Sequence, residues 1–537
     1  VRNSLGSWSF DSIDDFEAGN ASNFFYENAY TNDATDAAAN FELGMLNLYV
    51  QDNWYLSDTM ELGLGVRYET YLVDDKPTLN QNFVDRYGYS NQENLDGKDI
   101  ILPRVDFKWF ATDDMVVRAG LGRFSGGRPN VWISNSFSND GYTLVQFDRD
   151  VVPEEAYLND QNVAQIPQAV LDSMAAGDGD TNSIDPNYDI PSDWIARVGV
   201  DYRFDIPNVG NDFQATAEVT RKWMTDNSQW VDISRCEAGE TAAGITIYEP
   251  CDPTAPTGHY DLQLTNEDKT GTAWLFTTSL SKAWDNGFNM YAAYTHQDIE
   301  EGNPGTSSTA TSNYQYNIVR DRNEAIIGTA DYQVEHSLKI ALGYSKEFFD
   351  GYASKFNLFF NRRSGTAFSY TMGLYNDGDF GDQRYFQGGG SYLPYIPTGA
   401  DDPAFSPESP LSYEEVMAYF SDVGLDKYAG GFAPKGVGRS PWVTSMDFQF
   451  QQEVPGFAEG HKGIFYVTIN NLLNLIDSSK GEVLRQQYTN QTIVDFAGLD
   501  DQGRYMYTDP FYGYGDWNIF EAEESTWRLK LGVKYTF

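Results

Sequence analysis

Residues 525–537 read STWRLKLGVKYTF, and taken alternately they separate into two rows of opposite chemistry. Trp527, Leu529, Leu531, Val533, Tyr535 and Phe537 form one row, and Arg528, Lys530, Gly532, Lys534 and Thr536 form the other. A strand directs successive side chains to opposite faces, so this is a strand with an apolar and a polar side. In a soluble sandwich the apolar row would turn into a core. In a membrane barrel it would turn to lipid, and the polar row would line the interior.

The same alternation recurs upstream in pairs of strands joined by short polar turns. Leu46, Leu48 and Val50 alternate with Asn47, Tyr49 and Gln51 up to Trp54; after Ser57-Asp58, Met60, Leu62, Leu64, Val66 and Tyr68 continue the apolar row. Val105, Phe107 and Trp109 turn at Thr112-Asp113-Asp114 into Val117, Ala119 and Leu121. Val198, Val200, Tyr202 and Phe204 return through Phe213, Ala215, Ala217 and Val219. Trp274 to Trp284 turns at Asp285-Asn286-Gly287 and returns with Phe288, Met290, Ala292 and Tyr294. Asn-Gly between alternating runs is a strong hairpin signal. Leu338 to Tyr344 turns near Asp350-Gly351 into Phe356, Leu358 and Phe360, and Trp442 to Phe450 turns near Pro455-Gly456 into Phe465, Val467 and Ile469. With the terminal strand, and the aromatic segment Asn23 to Tyr30 as a first one, the chain holds about 14 strands, all antiparallel.

Three features decide between sandwich and barrel. The turns are short at one end and the connections long at the other, as in outer-membrane barrels with short periplasmic turns and long outer loops. Aromatic residues recur beside the short turns (Trp54, Tyr55, Trp109, Phe110, Trp284, Phe348, Phe349), where a headgroup girdle would place them. The polar rows carry charge: Arg104, Asp106 and Lys108 on one strand, Arg197, Asp201 and Arg203 on another. A dry core would bury these at a cost of several kcal/mol each unless paired, whereas a wet lumen accepts them. The fold class is therefore an all-β transmembrane antiparallel barrel, located in the bacterial outer membrane.

Composition agrees. Aromatics are 15% of 537 residues and glycines number 48, a mix that favours strands and turns. Mean hydropathy is −0.50, and no apolar run is long enough for a transmembrane helix, a limit that does not apply to alternating strands. The net charge of −43 excludes nucleic acid as a partner, because phosphate binding needs cationic patches. The partners expected instead are outer-membrane lipid and lipopolysaccharide, with surface proteins at the outer loops. Val1-Arg2-Asn3 opens no signal segment, which suggests a mature or truncated chain.

The long segments are acidic. From Gly126 to Asp193 the only basic residues are Arg128 and Arg149, and from Gly373 to Gly438 only Arg384, Lys427 and Lys435. Such loops read as a solvated surface, or as one bridged by divalent cations. Two runs offer Ca²⁺ the oxygen ligands it needs: Asp377, Asp379 and Asp382 in one, Asp178-Gly179-Asp180-Thr181-Asn182 in the other. Neither completes an EF-hand; the second has Ser183 where glycine is required. Short helices are expected over Pro167 to Ala176 and, from the capping box Ser412-Tyr413-Glu414-Glu415, through about Phe420. Cys236 and Cys251 are expected to form a disulfide in an oxidising compartment, two free thiols being the alternative.

Catalytic chemistry finds no support. His259, His296, His336 and His461 are far apart with no metal-ligand spacing, and no serine elbow, P-loop or dinucleotide fingerprint occurs. The chain is not expected to be an enzyme, and it names no catalytic residue, resident metal or cofactor beyond the Ca²⁺ candidates. No lumen residue is diagnostic of an iron chelate, sugar or peptide, so no ligand contacts are assigned.

Five short stretches in order, YVQDNW (49–54), LPRVDF (102–107), GGRPNVWISN (126–135), GTSSTA (305–310) and NNLLN (470–474), together with the terminal aromatic strand, resemble the carboxy-terminal barrel of TonB-dependent outer-membrane receptors, within them the Oar-like group. The resemblance implies that residues 1–537 are the carboxy-terminal part of a barrel of about 22 strands, whose plug, first strands and TonB-contacting segment lie outside this stretch. It implies a receptor that takes up a ligand held by outer loops and lumen, energised by the TonB complex. A surface-structural or adhesion barrel, and a passive porin-like channel, are the alternatives.

Overall fold

The computed structural model describes residues 3–126, 130–147, 149, 151–158, 165–255, 259–374, 380–381, 391–510 and 518–537. Thirteen long strands carry the architecture: β1 (Gly44–Ser57), β2 (Met60–Leu72), β3 (Asp99–Thr112), β4 (Met115–Ser125), β5 (Ser192–Ile206), β6 (Gly210–Thr225), β7 (Thr272–Ala283), β8 (Phe288–Glu301), β9 (His336–Phe349), β10 (Tyr352–Arg363), β11 (Val443–Pro455), β12 (Lys462–Asn470) and β13 (Arg528–Thr536). Their lengths, 9 to 16 residues, reach the roughly 9–11 residues that a tilted strand needs to cross a bilayer. Each pairs antiparallel with its neighbours in the chain, giving an unbroken meander from β1 to β13. Gly328–Thr329 adds a two-residue fourteenth strand beside β8. All six hairpins join at the short turns read from the sequence. Four of them carry a register shift just before the turn, at Tyr55/Ser57, Phe110/Thr112, Phe204/Ile206 and Glu347/Phe349. Such bulges tighten local twist where strand pairing ends.

The faces fall as the alternation requires. Leu529, Leu531 and Val533 are 53%, 62% and 76% exposed, and Leu48, Val50, Ile101, Val198 and Phe276 are exposed on the same side of the sheet. A row of aliphatic residues kept out of any core is what a lipid-facing surface demands. The opposite face is a polar wall. Arg118 Nε lies 3.0 Å from Asp201, which also accepts from Thr216 Oγ1 at 2.9 Å; Arg197 meets Glu218 at 3.4 Å, and Arg104 reaches Gln51 across β2. Among the described residues, no helix is long and apolar enough to cross a membrane.

Asn23 to Tyr30 is not a strand of this sheet. It splits into Asn23–Phe25, paired with Ser7–Ser9, and Glu27–Ala29, paired with Leu144–Gln146. Its aromatic residues have a different destination from lipid: Phe24 and Tyr26 are buried with Phe147, Tyr157 and Val170 in a small core of their own. Among the described residues, this large sheet thus has thirteen spanning strands and one short accessory strand.

Most of the buried apolar residues cluster in the long connections, joined by a few from the loop ends of the strands such as Tyr71, Ile100 and Met224. One core joins Val319, Tyr392, Ile396, Phe420, Ile493 and Tyr507, and another joins Tyr71, Leu95, Ile133, Ile184, Leu264 and Tyr314. The loops build small sheets around these cores. In one, Ala367–Leu374 runs parallel to Asn490–Leu499; in another, Thr181–Ile184 runs parallel to Asp261–Asn266. The acidic loops are therefore a folded cap with apolar cores of its own, and some of its charged residues, Asp232, Asp261, Arg322 and Lys435 among them, are buried. The expected helices form as Gln168–Ser173 and Tyr413–Asp422, the latter with its Ser412/Glu415 capping box complete. Cys236 and Cys251 are disulfide-bonded, with Cα atoms 5.0 Å apart, and tie the hairpin Arg235–Glu240/Thr246–Pro250.

Candidate binding site at the loop end of the sheet

Strands β5, β6 and β8 end at a cavity of about 610 Å³ between the polar wall and the cap, a size ordinary for small-molecule sites. The floor comes from the strand ends, where the Lys222 ammonium lies 2.8 Å from Asp193. The roof comes from two loops that the chain sets far apart. Helix Asn130–Ser138 brings Trp132 and Asn135; the segment after β8 brings Asn303, Gly305 and Ser307. They are stitched together by backbone recognition: the Trp132 indole donates to the Ser307 carbonyl at 2.8 Å, Asn135 donates to that of Ser308 at 2.9 Å, and Asn135 accepts from the Ala310 N–H at 3.1 Å. The stretches 126–135 and 305–310, singled out separately in the sequence, thus meet in one structure, and each side lines the cavity. Indole, proline and methionine surfaces alternate there with carboxylate, ammonium and amide groups. Such a lining can hold a ligand that is partly apolar and fix it by a few polar contacts.

A buried ionic cluster backs this site. Lys435 is 4% exposed, and its ammonium donates to the Gly302 carbonyl. Three carboxylates, Glu267, Glu301 and Asp331, surround it electrostatically. Glu267 also accepts the Asn303 N–H, which holds the cavity-lining turn in place. Burial pushes the Glu267 carboxyl up to about 7 and that of Asp331 up to about 6, and pulls the Lys435 ammonium down. Desolvation disfavours every charged form in such a place, and one cation cannot neutralise three acids. Glu267 therefore changes charge near neutral pH.

The second Ca²⁺ candidate run lies in another lock of the cap. The Asp178 carboxylate meets Arg86, and Asp180 meets His259 Nδ1 at 3.4 Å. Buried Asp261 accepts from Arg86 at 3.1 Å and from the Tyr87 hydroxyl at 2.7 Å, and lies 3.1 Å from His259 Nε2. Burial works against the His259 imidazolium, but Asp180 and Asp261 outweigh it and hold its pKa up at about 10. The chain's own cations thus sit where a Ca²⁺ ion would compete. Asp377, Asp379 and Asp382 lie outside the described residues.

The histidines, far apart in the sequence, are not all apart in space. His296 and His336 are register partners across β8 and β9, their rings 5.0 Å apart. His461 lies at the short-turn end against Tyr535. Neither the histidine pair nor the Lys435 cluster has a local signal, since each is assembled by strand register or loop return. The only hint of the pair is that both residues continue the lipid-facing rows of adjacent strands.

The outer membrane beta barrel domain family model matches residues 2–480. No curated protein matches the chain. Among solved structures, the chain is similar to the outer membrane transporter YddB from Escherichia coli at 10% identity, covering 92% of this chain and 45% of that one with a TM-score of 0.44. It is similar to a mutant of the ferric enterobactin receptor PfeA from Pseudomonas aeruginosa at 10% identity, covering 96% and 50%, with a TM-score of 0.40. A third similarity is to BauA, the ferric preacinetobactin receptor from Acinetobacter baumannii, at 12% identity, covering 83% and 40%, with a TM-score of 0.38. The chain spans half or less of the length of these proteins. With its lipid-facing rows, polar inner wall and folded cap, the chain belongs to the outer membrane beta barrel domain family and resides in the bacterial outer membrane.

Proposed function

We propose that this chain is the carboxy-terminal part of the barrel of a TonB-dependent receptor of the Oar-like group, taking up a ligand held between outer loops and lumen. The observation that carries the reading is the cavity at the loop end, walled by the inner faces of β5, β6 and β8 and roofed by two interlocked loops. A second observation supports the incomplete barrel: among the described residues, the outer edges of β1 and β13 have no strand partner. Open edges are costly in lipid, which favours a cylinder completed by further strands. About 22 strands enclose a plugged lumen in outer-membrane transporters, and a plug would supply both the contact to TonB and the moving part.

The test is mass spectrometry of small molecules co-purified with the native protein, followed by uptake of the identified compound in cells with and without TonB. Uptake lost without TonB supports the receptor. Uptake unchanged without TonB, with conductance in planar bilayers, supports a passive channel. The folded acidic cap favours one other reading, a surface-structural or adhesion barrel whose partners are proteins. Removal of cap segments would then abolish attachment and leave uptake intact.

A further inference from the structure

We propose that His296, Glu335 and His336 form a binding site for a divalent transition-metal ion, Zn²⁺ by its chemistry, on the outer side of the sheet at its loop end. This goes beyond the receptor reading and does not depend on it. One ligand atom from each residue lies within 4.8 Å of the others, close enough to share one ion. Two imidazoles and a carboxylate are a donor set suited to Zn²⁺, with the fourth position left to water.

The second observation is the state of the other ring nitrogens. His296 Nδ1 lies 3.1 Å from the Glu335 carbonyl, to which it donates, and His336 Nδ1 lies 2.8 Å from the Tyr294 hydroxyl. Metal-bound histidines use their second nitrogen in this way, which fixes the ring and the tautomer. Both Nε2 atoms are then the ones left for an ion. Arg439 Nε approaches Glu335 Oε2 at 3.6 Å, while Oε1 faces His336 Nε2 at 3.6 Å. The arginine thus holds one carboxylate oxygen and leaves the other for the shared position. Trp442 stacks flat on His336, with centroids 5.9 Å apart, and shields that side of the ring.

Location gives the site a consequence. His296 continues the lipid-facing row of Phe288, Met290, Ala292 and Tyr294, and His336 continues that of Leu338 and Ile340. Ionisable groups in such rows need a reason to be there. The pair closes the base of the loop 302–335, which supplies Asn303, Gly305 and Tyr332 to the cavity. An ion bridging β8 and β9 there would fasten that loop at its root.

The experiment titrates the untagged, detergent-solubilised protein with Zn²⁺ by calorimetry and follows Co²⁺ substitution by its visible absorption. We expect one tight equivalent. H296A and H336A should each abolish it, Y294F should weaken it about tenfold as second-sphere losses do, and H461A should leave it unchanged. Zn²⁺ should also slow proteolytic cleavage within 302–335. Absence of a tight equivalent in the unmodified protein, or its survival in both H296A and H336A, overturns the proposal. If a variant does not fold, the Co²⁺ spectrum of the unmodified protein decides: a four-coordinate spectrum supports the site, and that of the hydrated ion overturns it.

Discussion

Single residues in this molecule are placed by what surrounds their charge. Lys435 is the counter-charge to Glu267, Glu301 and Asp331 in a buried setting. Replacing it by methionine keeps the volume and removes the cation, so K435M should destabilise the cap by about 3–5 kcal/mol, the cost of stranding a buried charge. Limited proteolysis of the loops 302–335 and 364–442 would show it. Glu267 carries the opposite test. Its pKa rises on folding from 4.5 to about 7, so folding favours the protonated form. That contribution is complete below the unfolded value and disappears as pH rises through about 7. Amide protection around Asn303, after correction for the intrinsic base-catalysed exchange rate, should therefore be greater at about pH 5.5 than at about pH 8, and E267Q should flatten that difference. On the polar wall, space is the rule. Arg104 sits between Gly65 and Gly122, and Asp106 between Gly63 and Gly120, in register on both sides. A Cβ at Gly63 would come 2.5 Å from the Asp106 carboxylate, so glycine leaves the room that the charged side chain fills.

At the scale of the element, each strand has one face that tolerates change and one that does not. Leu531, mid-strand in β13, faces lipid. L531K should cost about 2–4 kcal/mol in refolding into lipid vesicles, while K530S, on the other face, should cost little. The hairpin between β7 and β8 depends on Gly287, whose φ is +89° and whose absent Cβ would fall 1.9 Å from the Ser345 carbonyl of β9. G287A should reduce assembled protein, read as the folded, heat-modifiable band on a gel, because both the backbone conformation and the neighbouring strand oppose a side chain. Gly287 and the other turn residues were legible in advance because turn chemistry is local. Asn23 to Tyr30 misleads for the same reason. Its aromatic alternation is that of a spanning strand, and only the core formed with Phe147 and Tyr157 shows where Phe24 and Tyr26 go.

For the molecule as a whole, the open edges of β1 and β13 make a sharp expectation under the receptor reading. Cysteines placed at Gln51 and Lys530 should not cross-link in the assembled protein, because additional strands stand between them. Cysteines at Val467 and Leu531, register partners across β12 and β13, should cross-link readily. Rapid cross-linking of the first pair would mean that this chain closes on itself.

The amino-acid sequence alone determined the strands, the short turns and the division into lipid-facing and lumen-facing rows. Alternation has a period of two residues, and a hairpin joins neighbours, so that information is local. It also determined the outer-membrane class, since the charges in polar rows such as Arg104, Asp106 and Lys108, and Arg197, Asp201 and Arg203, exclude a dry core. Only the tertiary structure decided that the acidic loops fold into a cap, that 126–135 and 305–310 share one cavity, and that Lys435 lies among three acids. Only strand register decided that His296 meets His336. These contacts join residues tens to hundreds of positions apart, and their energy lies in burial and pairing that no short stretch of chain can express.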